Sequence, residues 1–217
     1  MKKGLTELVF ILDRSGSMGG LEKDTIGGFN SMLRKQKELE GECRLTTILF
    51  DNNIKLLHDR VDIQAVEPIT EKDYYVCGST ALYDAMGMAM AKVTNAQKHT
   101  GEAYRADHVL FVVITDGYEN SSKEYTADDI KTILNRHKKQ DGWEFIYLGA
   151  NVDAKVEAEE IGIDKKMAQN YCADEDGIAL NLDVMDKTVE AFRSCGRVPD
   201  NWNVKINEDY KKRGKKD

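Results

Sequence analysis

Three short oxygen-rich segments stand out by residue type. They are Asp13-Arg14-Ser15-Gly16-Ser17, Gly78-Ser79-Thr80-Ala81-Leu82 and Thr115-Asp116-Gly117. Together Asp13, Ser15, Ser17, Thr80 and Asp116 offer two carboxylates and three hydroxyls, with no thiolate or imidazole among them. Hard oxygen donors suit a hard, octahedral cation, Mg²⁺ first and Mn²⁺ second. Ser15 and Ser17 are two residues apart, so in an extended loop both hydroxyls face the same side. Gly16 between them allows a close backbone turn. Five such groups do not complete a coordination shell, so water or an outside oxygen ligand must finish it.

The elements that would position these segments are legible from hydrophobic patterning. Strand-like runs occur at Leu8–Leu12, Leu45–Phe50, Ile54–Leu57, Val109–Ile114 and Phe145–Leu148. The first and fourth are almost uninterrupted aliphatic or aromatic residues, as expected for strands covered on both faces. The short turn Asp51-Asn52-Asn53 between the second and third predicts a hairpin, hence one antiparallel edge strand. Helical spacing appears at Ile26/Phe29/Leu33, from Leu82 to Ala96, at Ile130/Ile133/Leu134/His137, from Asp153 to Ile161, and from Ile178 to Phe192. Thr126 and Asp129 form a near capping box before the third helix. Gly27 and Gly28 cost the first helix roughly 1 kcal/mol each, which close packing on the sheet would explain. The alternation predicts an α/β domain, a doubly wound and mostly parallel sheet with helices on both faces. In such a sheet ligands bind beyond the carboxyl ends of the strands, which is where the three segments fall.

The 217-residue chain carries a net charge of -7 and a mean hydropathy of -0.53. Six cations against three anions from Val204 onward give that tail +3 and leave -10 on the body. An acidic body is a poor match for nucleic acid or an anionic membrane. No run approaches the roughly 20 apolar residues of a membrane span. The start Met1-Lys2-Lys3 is followed by too short an apolar run for a signal peptide. Cys43, Cys77, Cys172 and Cys195 are dispersed, so free thiols in a reducing, cytoplasmic setting are expected. One domain over residues 1–196 and a C-terminal extension over 197–217, ending in a solvated basic tail, complete the organisation.

Asp13-x-Ser15-x-Ser17, Thr80 in Gly-Ser-Thr-Ala-Leu and Asp116 in Thr-Asp-Gly together resemble the von Willebrand factor type A domain, specifically its metal-ion-dependent adhesion site. The resemblance covers roughly Glu7 to Phe192. It implies a six-stranded sheet of order 3-2-1-4-5-6, with the hairpin strand at one edge and Met167–Tyr171 as the sixth strand. It implies that Ser15, Ser17 and Thr80 contact the metal by their hydroxyls, with Asp13 and Asp116 acting directly or through water. It further implies that a Glu or Asp carboxylate from a partner protein fills the open position. Arg14, Met18, Ser79, Tyr118 and Glu119 flank the motif as candidate partner contacts. Tyr74, Tyr75 and Tyr83 bracket the Thr80 loop and read as packing around it, the alternative being a rim that contacts a partner. A stand-alone member looks like bacterial or phage proteins associated with AAA-type ATPases or stress-response complexes.

The reading is therefore a non-enzymatic, metal-dependent protein-binding module. A metal-dependent hydrolase or phosphatase is the alternative, but no His or Lys sits in the three loops to act as a general base. A nucleic-acid-associated role is the other, and the acidic body opposes it.

Overall fold

The computed structural model describes residues 4–214; Met1-Lys2-Lys3 and the last three tail residues, Lys215, Lys216 and Asp217, lie outside them. Six strands form one sheet: β1 (Thr6–Asp13), β2 (Cys43–Phe50), β3 (Ile54–Asp62), β4 (His108–Thr115), β5 (Glu144–Gly149) and β6 (Ala168–Asn170). Their order is β3-β2-β1-β4-β5-β6. Among the described residues only the β2–β3 hairpin is antiparallel. The order and the single antiparallel edge are those expected. β3 runs five residues beyond Leu57, through the polar segment His58–Asp62, and its register shifts near Thr47. Those polar residues hid its length from the hydrophobic pattern. β6 is three residues long, shorter than the expected Met167–Tyr171.

Among the described residues six α-helices flank the sheet: α1 (Glu22–Lys37), α2 (Leu82–His99), α3 (Ala127–Gln140), α4 (Ala154–Glu160), α5 (Glu175–Cys195) and α6 (Val204–Arg213). Because side chains alternate along a strand, β1 feeds two cores. Leu8, Phe10 and Leu12 join Phe29 of α1 with Leu182 and Met185 of α5. Val9 and Ile11 join Ala85, Met86 and Ala89 of α2 and Ile130 of α3. The small residues of α2 let it lie close to the sheet. Gly28 has a close-packing reason, but against α5 and not against the sheet: a Cβ there would lie 3.2 Å from the Cβ of Leu182. Gly27 does not: a Cβ there meets nothing within 4 Å, so close packing does not account for it. The capping box at α3 is complete, Thr126 Oγ1 accepting from Asp129 N at 3.2 Å and Asp129 Oδ2 accepting from Thr126 N at 2.9 Å. All four cysteines are free thiols. No helix among the described residues is long and apolar enough to cross a membrane.

The C-terminal segment differs from the expected solvated tail. Val198, Trp202 and Ile206 recur every fourth residue and are buried in the α1–α5 core. Trp202 Nε1 donates to Lys166 O at 3.0 Å, and Asn203 Nδ2 donates to Gln169 Oε1 of β6 at 3.1 Å. Arg213 at the far end of α6 pairs with Asp174 and Asp209, each at 2.6 Å. The dense charge of this segment masked its apolar stripe. Trp202→Ala should cost about 3 kcal/mol, typical of a large aromatic removed from a core. Denaturant unfolding measures it; a loss below about 0.5 kcal/mol would mean that α6 is not docked.

Candidate metal centre

β1 and β4 are adjacent parallel strands whose connections leave in opposite directions, β1 toward β2 and β4 toward β5. That reversal opens a crevice at their carboxyl ends. Asp13 is the last residue of β1, and Asp116 directly follows β4. The loop leading into α2 brings Thr80 to the same place. The first two loops are joined backbone to backbone, Gly16 N donating to Gly78 O at 3.0 Å and Cys77 N to Arg14 O at 2.9 Å. Asn120 ties the third loop to the second: Thr80 N donates to its Oδ1 at 2.9 Å, and Asn120 N donates to Thr80 O at 3.0 Å.

The expected donors are thereby gathered. Ser15 Oγ and Ser17 Oγ lie 3.1 Å apart, and Ser17 Oγ donates to Asp116 Oδ1 at 2.5 Å. A Cβ placed on Gly117 would sit 3.4 Å from Ser17 Oγ and 3.5 Å from Thr80 Oγ1, so these two hydroxyls flank one point. Asp13, Ser15, Thr80 and Asp116 are buried, whereas Ser17 is exposed. Asp13 is held on both oxygens, by Ser15 N at 2.7 Å and by Thr115 Oγ1 at 2.6 Å. Tyr74 OH donates to Asp13 O at 2.6 Å, and Tyr171 OH donates to Thr115 O at 3.1 Å, so buried tyrosines fix the ends of both strands from below. Sequence reasoning gave Tyr74 a packing role, set Asn120 beside the motif with Tyr118 and Glu119 as a candidate for ligand selectivity, and missed Asn120, Thr115 and Tyr171 as supports.

The electrostatics are one-sided. Asp116 Oδ2 is buried with no hydrogen-bond partner. Burial pushes the Asp116 carboxyl up to about 6, and the neighbouring Asp13 charge adds to the rise against the lowering by Ser17. Burial raises the Asp13 carboxyl as well, despite its hydrogen bonds to Thr115 and Ser15. Among the described residues, no group of three His, Cys, Asp or Glu side chains gathers as a metal cage. A cation here therefore depends on hydroxyl oxygens, and the orphaned oxygen of Asp116, whose other oxygen meets Ser17, fits a hard divalent ion.

Three of the five flanking candidates are not on the rim. Arg14 is 4% exposed and pairs with Asp51 at 2.9 Å. Met18 is 1% exposed, inside the α1–α5 core. Glu119 is spent on the third loop and on α2: its carboxylate accepts from Ser121 N, Ser122 N and Oγ, and Tyr83 N, at 2.7–3.0 Å. That last bond caps the first turn of α2. Ser79 is half-buried and Tyr118 is 54% exposed, so both remain at the surface. Tyr75, 49% exposed, lies over the Arg14 guanidinium, 4.8 Å from its ring centre.

Comparison with known proteins fits this geometry. The sequence profile of the von Willebrand factor type A domain matches residues 7–187. The chain belongs to that family. No curated protein matches it significantly. Among solved structures, the vWF domain of the type V pili tip protein Mfa5 from Porphyromonas gingivalis superposes with a TM-score of 0.62 at 14% identity, over 91% of this chain and 99% of that one. The PilB minor pilin from Streptococcus sanguinis superposes with a TM-score of 0.61 at 12% identity, over 87% of this chain and 62% of that one. Proximal thread matrix protein 1 from the mussel byssus, with a zinc-occupied MIDAS motif, gives a TM-score of 0.57 at 15% identity, over 86% of this chain and 46% of that one. This vWA chain thus spans less than two thirds of the last two, and at these identities the likeness is one of fold.

The raised carboxyls fix a pH dependence. Asp116 binds its proton more tightly folded than unfolded, so folding takes up protons between about pH 4 and 6. Without divalent cation, stability should fall as pH rises through that window and then level off. Asp116→Asn should abolish most of the slope and stabilise the cation-free protein at pH 8 by about 1–3 kcal/mol. Thermal unfolding in EDTA from pH 4.5 to 8 measures both; no stabilisation at pH 8 would refute the charge-crowding account.

Proposed function

We propose that this vWA domain is a non-enzymatic, metal-dependent protein-binding module. Ser15, Ser17 and Thr80 would contact a divalent ion, Mg²⁺ or Mn²⁺, through their hydroxyls. Asp116 would act through the oxygen that now lacks a partner, and Asp13 through the water and hydroxyls around it. The observation that carries this reading is the orphaned Asp116 Oδ2, buried beside hydroxyl donors that cannot neutralise it. Domains of this family are metal-dependent adhesion modules, and one structural relative carries zinc at its MIDAS motif.

The direct ligands in this scheme are mostly neutral, which leaves the cation electron-poor and favours an anionic ligand at its open position. A Glu or Asp side chain of a partner protein would supply it. Ser79, Tyr118 and Tyr75, the last over Arg14, form the proposed contact rim; a half-exposed tyrosine offers a rigid apolar face with a polar tip. The division into a domain over residues 1–196 and an extension after it, the cytoplasmic setting and an AAA-type ATPase or stress-response complex as partner belong to the same proposal.

Calorimetric titration with Mg²⁺ and with Mn²⁺ should show one site in the wild type. Ser17→Ala or Thr80→Ala should weaken it at least tenfold while the chain stays folded. Affinity should also drop below pH 6, because the ligands must be deprotonated. In pull-downs, wild type should retain a partner with Mg²⁺ that EDTA or Asp13→Ala releases. Identical captured proteins under all four conditions would sink the module reading.

A further inference from the structure

Arg14 sits inside the Asp-x-Ser-x-Ser motif, yet its side chain takes no part in the donor cluster. Its guanidinium pairs with Asp51 through Nη2 at 2.9 Å, and the two side chains are 5% and 0% exposed. Arg14 Nε and Nη1 are buried without hydrogen-bond partners. A desolvated ion pair with two orphaned donors is a poor way to stabilise a fold; apolar residues of similar size often do as well or better. Its placement suggests another use.

Asp51 directly follows β2, and its polar groups are divided between its own hairpin turn and two neighbouring loops. Its Oδ1 accepts from Asn53 N at 2.5 Å and Asn53 Nδ2 at 3.2 Å, which closes the hairpin turn. Its Oδ2 takes both Arg14 and the Cys77 thiol, the latter at 3.2 Å. Its carbonyl accepts from Ala81 N, one residue past Thr80, at 2.9 Å. The backbone of Arg14 is held on both sides as well, its N–H by Phe50 O at 2.8 Å and its carbonyl by Cys77 N at 2.9 Å. Asp51 is thus the shared anchor of the loop carrying Ser15 and Ser17 and the loop carrying Thr80.

Accepting the metal reading of the site, we propose that Arg14 and Asp51 are a positioning pair for it. The ion pair fixes the spacing between the Ser15/Ser17 and Thr80 hydroxyls. It also neutralises a guanidinium one residue from two proposed ligands, which would otherwise repel the cation. The two partners are therefore unequal. Losing Asp51 leaves an unpaired cation beside the site as well as a loose loop. Losing Arg14 loosens the loop only.

The test is Mn²⁺ affinity, followed by electron paramagnetic resonance of free Mn²⁺. Wild type, Arg14→Met, Arg14→Lys, Asp51→Asn, the Arg14→Met/Asp51→Asn double variant and Ser17→Ala are titrated at a temperature where thermal scans show each folded. Asp51→Asn should weaken Mn²⁺ at least tenfold and Arg14→Met roughly three- to tenfold. The double variant should bind no more weakly than Asp51→Asn alone, because removing Arg14 removes the repulsion. Arg14→Lys keeps a cation and the fold in case the methionine variant is unstable, and should lose roughly threefold. The proposal is overturned if the Arg14 and Asp51 variants stay within twofold of wild type while Ser17→Ala loses Mn²⁺, or if their effects simply add. If wild type itself binds no Mn²⁺, the metal reading fails, and this proposal with it.

Discussion

Two carboxylates, Asp13 and Asp116, are buried at the carboxyl ends of adjacent strands, and neither forms an ion pair among the described residues. Burying charge without a counter-charge is costly, and the surroundings of the site are arranged around that cost. Asp13 is offset by two short hydrogen bonds. Asp116 is offset on one oxygen only, by the exposed Ser17 hydroxyl. The remaining deficit lies at the point where three loops meet and solvent begins. Unbalanced negative charge behind the Ser15 and Ser17 hydroxyls is an arrangement that a cation would relieve, so the energetics support the proposed function alongside the motif.

The sheet supplies the stiffness that such crowding requires. β1 and β4 are paired over seven residues and covered on both faces, so Asp13 and Asp116 cannot move apart without breaking the central ladder. The hydroxyl-bearing loops are less constrained by the sheet and depend on cross-links of their own. Gly16 to Gly78, Asn120 to Thr80, and Asp51 to Arg14, Cys77 and Ala81 are all contacts between residues distant in sequence. The site is therefore a property of the assembled sheet edge, with no single loop able to form it.

The far edge of the sheet is finished by the last segment. β6 pairs with only three residues of β5, and Trp202, Asn203 and Ile206 cover it from the α6 side. A short edge strand under a docked helix offers little backbone for another chain to pair with. The exposed Tyr75 and Tyr118 belong to the loops at the carboxyl ends of the central strands, a different part of the molecule from this closed edge.

How much of this the chain announces depends on range. Leu8–Leu12 and Val109–Ile114 read as central strands because residues covered on both faces must be apolar, and that requirement is local. The donors Asp13, Ser15, Ser17, Thr80 and Asp116 were legible because each follows a strand or opens a helix, where the chain pattern itself marks the turn. The roles of Arg14, Met18 and Glu119 were not. Their residue types suggest an exposed, partner-facing rim, but burial depends on what the other loops bring: Asp51 beneath Arg14, the α1–α5 core around Met18, the first turn of α2 above Glu119. The same holds for α6, whose Val198, Trp202 and Ile206 find partners only after β6 and α5 are in place. Sequence alone marked which atoms are candidate cation donors; tertiary structure decided which neighbours hold those atoms, because a buried polar group is defined by contacts that the folded chain alone creates.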